Sequence, residues 1–203
     1  MRPFQLLCLA AALVCALDAD TIIYGNMSES SAGADGVDFV GPLYDSFTAG
    51  AAGQISDLQL ILSGDGDDTS SGAVQVGLYA DSSTAPGELI AVLGTVNDTA
   101  VSSMPAAYDV TLIASPLLAP DTRYWIGLSG TTAAEWYYDY DDAGIGVANE
   151  FFSNQIGMFS NSYDPYQMSV TESASAAPEP SSRLLIVFGA GLIGVSRLRR
   201  RAY

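Results

Sequence analysis

Short segments in which apolar and polar residues alternate run along residues 21–171. Because successive side chains of a β-strand point to opposite faces of the sheet, each segment places a row of apolar side chains on one face. No convincing long amphipathic helix interrupts them. The clearest rows are Leu58, Leu60 and Leu62; Val74, Val76 and Leu78; Tyr108, Val110 and Leu112; and Tyr124, Ile126 and Leu128. The pattern indicates an all-β domain.

Clusters of Gly, Pro, Asp and Ser separate these segments, as the turns between short strands require. Further strands are predicted at 21–24, 44–49, 88–96, 134–140 and 167–171, which brings the total to about nine. We therefore predict an antiparallel β-sandwich of jelly-roll type over residues 20–171. A signal peptide at 1–19 would precede the domain, and a linker with a sorting tail at 172–203 would follow it.

The charge of the chain is unevenly placed. Residues 20–177 contain 21 acidic residues and one basic residue, Arg123, so their net charge is −20. Nucleic acids and anionic lipids are bound chiefly through Lys and Arg, so no nucleic-acid partner is expected. Arg123 lies in an alternating segment, where we expect it to pair with a nearby carboxylate rather than with an anionic ligand.

The residue types present argue against an enzyme. Histidine is absent, and both cysteines, Cys8 and Cys15, lie in the N-terminal apolar run. Catalytic triads, Cys–His dyads and ordinary zinc sites therefore lack side chains that they need. A glycosidase would need two carboxylates at a defined separation across a cleft, and an abundance of acids does not indicate such a pair. We expect a non-enzymatic protein.

The N-terminus has the pattern of a secretory signal peptide. Arg2 precedes an apolar stretch at 4–16, and small residues and an acidic residue follow it. The stretch is too short to span a bilayer as a permanent anchor. We predict cleavage after Ala16 or Ala19, which makes the Sec translocon and signal peptidase partners in export.

Three parts follow one another at the C-terminus. Pro178, Glu179 and Pro180 form an extended segment, because two prolines in three residues prevent a continuous helix. The apolar run at 184–196 would reach only about 20 Å as a helix, against a hydrocarbon core of roughly 30 Å. We predict a short transmembrane helix held at its cytoplasmic end by four arginines: Arg197, Arg199, Arg200 and Arg201.

Together, Pro178-Glu179-Pro180, the glycine-containing apolar run and the terminal arginines resemble a PEP-CTERM sorting signal. The resemblance implies recognition by an exosortase, a multi-pass membrane enzyme of Gram-negative bacteria that also make exopolysaccharide. It further implies a precursor anchored in the inner membrane, removal of the tail, and a mature form at the cell surface or in the extracellular matrix of a biofilm. A plain C-terminal membrane anchor is the alternative interpretation.

Residues 36–171 resemble the choice-of-anchor R domain in the order of their landmarks. These landmarks are the segments 44–48, 58–62, 76–81, 86–89 and 122–128. The resemblance implies an exported, β-rich module that is displayed at the surface and has no assigned reaction.

The segment 63–72 is a candidate calcium site, because it brings together Asp65, Asp67 and Asp68. Clustered oxygen ligands are what calcium requires. The EF-hand pattern is not met, since Val76 stands where the closing Glu should be. A solvated hairpin loop is the alternative interpretation. Apart from calcium, no cofactor is expected.

The segment 135–142 is a candidate glycan-binding site, built on Trp136, Tyr137, Tyr138 and Asp139. Aromatic rings pack on the apolar faces of sugars, and carboxylates accept hydrogen bonds from sugar hydroxyls. In a strand, Trp136 and Tyr138 share one face while Tyr137 and Asp139 take the other, so one row belongs to the core. The outward row and the following loop would then bind exopolysaccharide.

Taken together, the sequence predicts a non-enzymatic, exported protein of the surface or extracellular matrix. A carbohydrate-binding module acting on exopolysaccharide and a calcium-dependent adhesin are the alternatives.

Overall fold

A computed structural model of the chain describes residues 20–37, 42–64 and 72–174. These residues contain thirteen β-strands and one 3-10 helix, Asp98–Ala100. The strands are β1 (Thr21–Gly25), β2 (Ser31–Gly36), β3 (Leu43–Thr48), β4 (Gly53–Ser63), β5 (Ala73–Asp81), β6 (Pro86–Asn97), β7 (Ala106–Asp109), β8 (Leu117–Leu118), β9 (Arg123–Gly130), β10 (Glu135–Asp139), β11 (Phe151–Asn154), β12 (Gly157–Ser160) and β13 (Met168–Ala174). The prediction of an all-β domain is confirmed.

The strands form two sheets, and the strand pairs described are all antiparallel, as predicted. The first sheet has the order β1-β13-β4-β10-β2, with β7 and β8 also pairing along the long strand β4. The second sheet has the order β12-β11-β3-β9-β5-β6. Along the chain, β3, β4 and β5 alternate between the sheets, and β9, β10 and β11 do so again.

Apolar rows from both sheets meet in one hydrophobic core, which is the arrangement of a β-sandwich. Three of the four rows predicted from the alternation are buried: those of β4, β5 and β9. In the fourth row only Val110 is fully buried, while Tyr108 and Leu112 pack against the core from partly exposed positions. Strand β7 ends at Asp109, so it is shorter than the predicted strand, and Val110 and Leu112 lie beyond its end.

Four strands were not predicted: β2, β8, β11 and β12. Strand β2 reads Ser-Ala-Gly-Ala-Asp-Gly, which has no β-branched or aromatic residue. It forms at the end of the first sheet by pairing with β10, in a register that sets Gly33 opposite Tyr138. Its strand conformation therefore comes from its partner rather than from its own residues.

Several predicted features lie outside the described residues. These are the signal peptide, the calcium candidates Asp65, Asp67 and Asp68, and the C-terminal tail with its transmembrane helix. Within 20–37, 42–64 and 72–174, no helix has the length and apolar character needed to cross a bilayer.

Candidate functional site

A cleft of about 320 Å³ opens between the two sheets, where β2 and β10 of the first sheet approach β11 and β12 of the second. Its volume lies at the lower end of the range typical of small-molecule sites. Four of its lining residues are aromatic: Tyr138, Phe152, Phe159 and Tyr163. The others are Ile156 and three polar residues, Asp35, Asn154 and Asp164. The cleft thus combines aromatic surface with carboxylates.

The aromatic side of the cleft rests on stacked rings that continue into the core. Phe152 and Phe159 stack with centroids 5.0 Å apart, and Phe152 meets Tyr166 edge to face at 5.5 Å. Beneath them, Trp136 stacks on Tyr166 at 4.4 Å with the planes 13° apart. Because these four rings pack against one another, this part of the aromatic wall is held in a fixed geometry.

The polar side of the cleft is fixed by Asp35. Its Oδ2 accepts a hydrogen bond from the Tyr166 hydroxyl at 2.6 Å and another from Asn154 Nδ2 at 3.1 Å. The bond to Asn154 joins β2 of the first sheet to β11 of the second. Asn154 is positioned in turn by the backbone N–H of Ile156, which donates to its Oδ1 at 2.9 Å. Asp35 therefore ties together the two walls of the cleft.

The electrostatic environment of the cleft is negative. Burial, followed by the negative charges of Asp35 and Asp164, raises the pKa of Tyr138 above its usual value. Burial and the hydrogen bond to Asp35 likewise raise the pKa of Tyr166 far above its usual value. Both phenols therefore stay neutral at physiological pH. The charged residues that line the cleft, Asp35 and Asp164, are both acidic.

Tyr138 has its place in the cleft because Gly33 lies opposite it. A Cβ atom at Gly33 would overlap the hydroxyl end of the Tyr138 ring. The absence of a side chain on β2 therefore allows the Tyr138 ring to lie across that strand and extend into the cleft.

Of the four residues proposed from sequence for glycan binding, Tyr138 lines the cleft. Trp136 is fully buried and donates from Nε1 to the Gln167 carbonyl at 3.0 Å. Asp139 is also buried, and its Oδ2 accepts a hydrogen bond from Asn26 Nδ2 at 2.8 Å. Tyr137 is partly buried and accepts a hydrogen bond from the Ser63 hydroxyl at 3.4 Å. Trp136 thus supports the aromatic wall from inside the domain.

Sequence reasoning did not select Asp35, Asn154 or Asp164 as cleft residues. Asp35 belongs to the unpredicted strand β2, and Asn154 to the unpredicted strand β11. Asp164 stands in the segment Tyr163-Asp164-Pro165-Tyr166, whose mixture of aromatic and acidic residues was the one available signal. The cleft brings these residues together only through the pairing of distant strands.

Arg123 lies in an ion pair with Glu150, as predicted. Its Nε is 3.1 Å from Glu150 Oε2, and its guanidinium carbon lies 4.9 Å from the centre of the Phe151 ring. The Glu150 carboxylate also accepts hydrogen bonds from the hydroxyls of Ser46, at 3.0 Å, and Thr48, at 2.6 Å. Through Glu150, Arg123 therefore helps to hold the segment before β11 against β3 and β9.

Four other carboxylates are buried without an ion pair in the part of the chain that the structure describes: Asp45, Asp98, Asp139 and Glu172. Two of them have a raised pKa. Burial raises the pKa of Asp45 well above its usual value, although hydrogen bonds from Tyr24 and from the Ser46 and Tyr166 amides act against this. Burial also raises the pKa of Asp139 to about 7, against the hydrogen bond from Asn26. These acids contribute to hydrogen bonding inside the domain rather than to a surface site.

The C-terminal end of the chain is similar to a known sorting motif. Residues 176–201 match the PEP-CTERM protein-sorting motif. A search of curated proteins found no match to the chain. The motif includes Pro178, Glu179 and Pro180 as well as the four terminal arginines, so the resemblance noted from sequence is confirmed for the tail.

The PEP-CTERM motif implies that an exosortase is the processing partner of the chain. It also implies a membrane-anchored precursor that is exported and then processed. The match ends at the tail, so it does not extend to the cleft or to the β-strand domain. The resemblance of residues 36–171 to the choice-of-anchor R domain has no support in the comparisons.

No metal centre is formed by the described residues. Among them, no group of three or more Asp, Glu, His or Cys side chains is placed to hold a metal ion. The candidates Asp65, Asp67 and Asp68 lie in 65–71, outside this part of the chain.

Proposed function

We propose that the chain is a non-enzymatic protein of a Gram-negative bacterium that is exported, sorted through its PEP-CTERM tail, and displayed at the cell surface or in the extracellular matrix. The observation that supports this most strongly is the match of residues 176–201 to the sorting motif. The β-strand domain is then the part delivered to the outside.

The proposed route begins with the Sec translocon and signal peptidase and passes through a precursor in the inner membrane. The apolar run at 184–196 is short for a permanent anchor, since it reaches about 20 Å at ~1.5 Å per residue. A segment with a marginal span suits temporary residence before the tail is removed.

For the delivered domain, we propose a jelly-roll type of sandwich similar to the choice-of-anchor R domain. Support comes from the alternation of successive strands between the two sheets and from the order of the landmark segments. A module of this kind would present a binding surface and perform no reaction.

Deleting the exosortase gene of the producing cell tests the sorting proposal. We expect the full-length precursor to accumulate in the inner-membrane fraction and the extracellular form to disappear. Restoring the gene should restore release. Release of the chain at an unchanged rate and mass without any exosortase would contradict the proposal.

A second candidate function is glycan binding in the cleft. The observation that favours it is the placement of Tyr138, Phe159 and Tyr163 beside two carboxylates, since rings can pack against a sugar while carboxylates accept hydrogen bonds from its hydroxyls. Trp136 would act from beneath, by supporting Tyr166, rather than by touching the sugar. Isothermal titration with the exopolysaccharide of the producing organism tests this function, and no heat from several preparations would contradict it.

A calcium-dependent adhesin is the third hypothesis, and it depends on Asp65, Asp67 and Asp68. A calcium titration that raises the melting temperature of the full-length protein, and fails to do so after Asp65→Asn with Asp67→Asn, would support it. An unchanged melting temperature in the unsubstituted protein would contradict it.

A further inference from the structure

The charges that surround the cleft restrict the kind of glycan that it can bind. This inference rests on the proposed glycan-binding function and specifies its ligand. The charged side chains of the cleft are Asp35 and Asp164, and both are acidic. Asp35 is partly buried between the walls, while Asp164 is exposed at the edge. A ligand in the cleft therefore meets two negative charges.

No basic side chain of the domain balances these charges. Arg123 is the one basic residue between 20 and 177, and its guanidinium is engaged by Glu150 and by the Asn149 carbonyl. It is not part of the cleft lining. A sugar that carries carboxylates or sulfates would thus have no cation to pair with and would be repelled by a domain of net charge −20.

The aromatic lining adds a second attraction for positive charge. The faces of tyrosine and phenylalanine rings are electron-rich and attract an ammonium group within about 6 Å. Tyr138 lines the cleft together with both carboxylates, and burial followed by their charges raises its pKa. Tyr163, with 67% of its surface exposed, offers a second ring at the entrance. The aromatic rings can pack against the flat face of a ligand, and the carboxylates attract positive charge. The cleft therefore favours a cationic ligand with a flat apolar face.

We propose that the cleft binds sugar residues with free amino groups, so that its polymeric ligand is a polysaccharide rich in unacetylated amino sugar. The pyranose ring packs against the rings of Tyr138 and Tyr163, and its ammonium group lies between Asp35 and Asp164. The negative charge of the remaining domain raises the rate at which such a cationic polymer arrives.

A matched pair of oligosaccharides tests this proposal. The probes are a short β-1,4-linked glucosamine oligomer and its fully N-acetylated counterpart, which share a backbone and differ in charge. Isothermal titration into the full-length protein is performed at a pH where the amine is protonated and carboxylates are ionised. We expect the free amine to bind about tenfold more tightly, and the difference to shrink as salt is added.

Two variants locate the binding. Asp164→Asn removes an exposed cleft charge and should weaken binding of the amine form about three- to fivefold, with little change for the acetylated form. Glu88→Gln is the matched control, because it removes an exposed charge on β6, at the far end of the second sheet from β11 and β12. It should leave both affinities unchanged.

Three outcomes would overturn the proposal while leaving glycan binding intact. The first is equal affinity for the two oligomers, and the second is tighter binding of the acetylated form. The third is equal weakening by Asp164→Asn and Glu88→Gln, because binding would then follow the net charge rather than the cleft. If neither oligomer binds and the producer's exopolysaccharide gives no heat, the glycan-binding function fails with it.

Discussion

The β-strand domain and the C-terminal tail carry charge of opposite sign. Residues 20–177 have 21 acidic residues and one basic residue, whereas residues 178–203 have one acidic residue and five arginines. In the tail, positive charge next to an apolar run is the pattern that sets the orientation of a membrane segment. In the domain, the negative charge should repel anionic ligands. Charge thus has a different role in each region. Substitutions in one region should therefore leave the role of the other unchanged.

The two regions also differ in how they can be identified. The tail is identified by a short motif in the order of its residues. The cleft depends on side chains from four strands, the turn between β11 and β12 and the loop between β12 and β13, which meet only in the folded domain. Substitutions in the tail should therefore change sorting without changing the stability of the domain, and substitutions in the domain should do the reverse.

The largest expected effect is on sorting. Replacing both tail prolines, Pro178→Ala with Pro180→Ala, removes the two residues that we expect to prevent a helix from continuing through this segment. We expect removal of the tail to stop and the precursor to remain in the membrane fraction, measured by immunoblot of separated fractions. The matched control replaces the exposed prolines of the domain, Pro105→Ala with Pro120→Ala, and should be processed normally. Normal processing of the tail variant would contradict the prediction.

The next largest effect concerns the single cation of the domain. Arg123→Met leaves the buried Glu150 carboxylate with only hydroxyl partners, and removing one partner of a buried pair costs about 3 kcal/mol. Urea unfolding should show that the free energy of unfolding falls by about this amount, and sorting of the variant should be unchanged.

Addition of Glu150→Gln to Arg123→Met provides the control, because it removes the uncompensated charge. The double variant should recover at least half of the lost free energy of unfolding. A loss below about 0.5 kcal/mol in the single variant would mean that the pair behaves like an exposed one.

The buried Asp139 should make stability depend on pH. Its pKa is raised to about 7 in the folded domain, against about 3.9 in an unfolded chain. The folded state therefore binds the proton more tightly. The stability that this group contributes is fully present below its unfolded pKa of about 3.9 and is lost as the pH rises from about 4 to about 7, with a slope of up to about 1.4 kcal/mol per pH unit.

Urea unfolding at a series of pH values measures this dependence. Asp139→Asn should reduce the slope over that interval, and the remaining slope should include Asp45, whose pKa is raised in the same direction. A slope that is identical in the Asp139→Asn variant would show that Asp139 is ionised alike in both states.

The smallest expected effect is at the cleft. Gly33→Ala places a methyl group where the Tyr138 ring lies, so the ring must move, at a cost of about 1 kcal/mol in the free energy of unfolding. Gly50→Ala is the control, because its Cβ would make only ordinary contacts, at 3.5 Å with Glu172 and 3.6 Å with Ile23. If glycan binds against Tyr138, affinity should fall in the first variant alone. Equal affinity in both would place the ligand elsewhere.

The strands of the core could be predicted because their residues carry the signal themselves. Leu58, Leu60 and Leu62 are separated by the period of a strand, and all three are buried. Strand β2 has no such signal, because its glycines and alanines become a strand only by pairing with β10. The tail could be predicted for the same reason as the core: its motif is contained in consecutive residues.

The cleft could be predicted only in part. The aromatic and acidic character of the segment around Tyr138 pointed to a strand that contributes one residue to the cleft. The alternation of side chains between the two faces of β10 fails at the end of that strand, where the register with β2 shifts between Tyr138 and Asp139. Asp139 then bonds to Asn26, 113 residues away. Partners at such separations are set by the fold as a whole, so Asp35 joins the cleft without any local signal.

Mass spectrometry of the intact extracellular protein tests the central claim most directly. The account predicts a chain that begins after Ala16 or Ala19 and ends close to Pro178-Glu179-Pro180, without the apolar run and the four terminal arginines. An extracellular chain that retains those arginines would contradict the claim that this protein is an exosortase substrate.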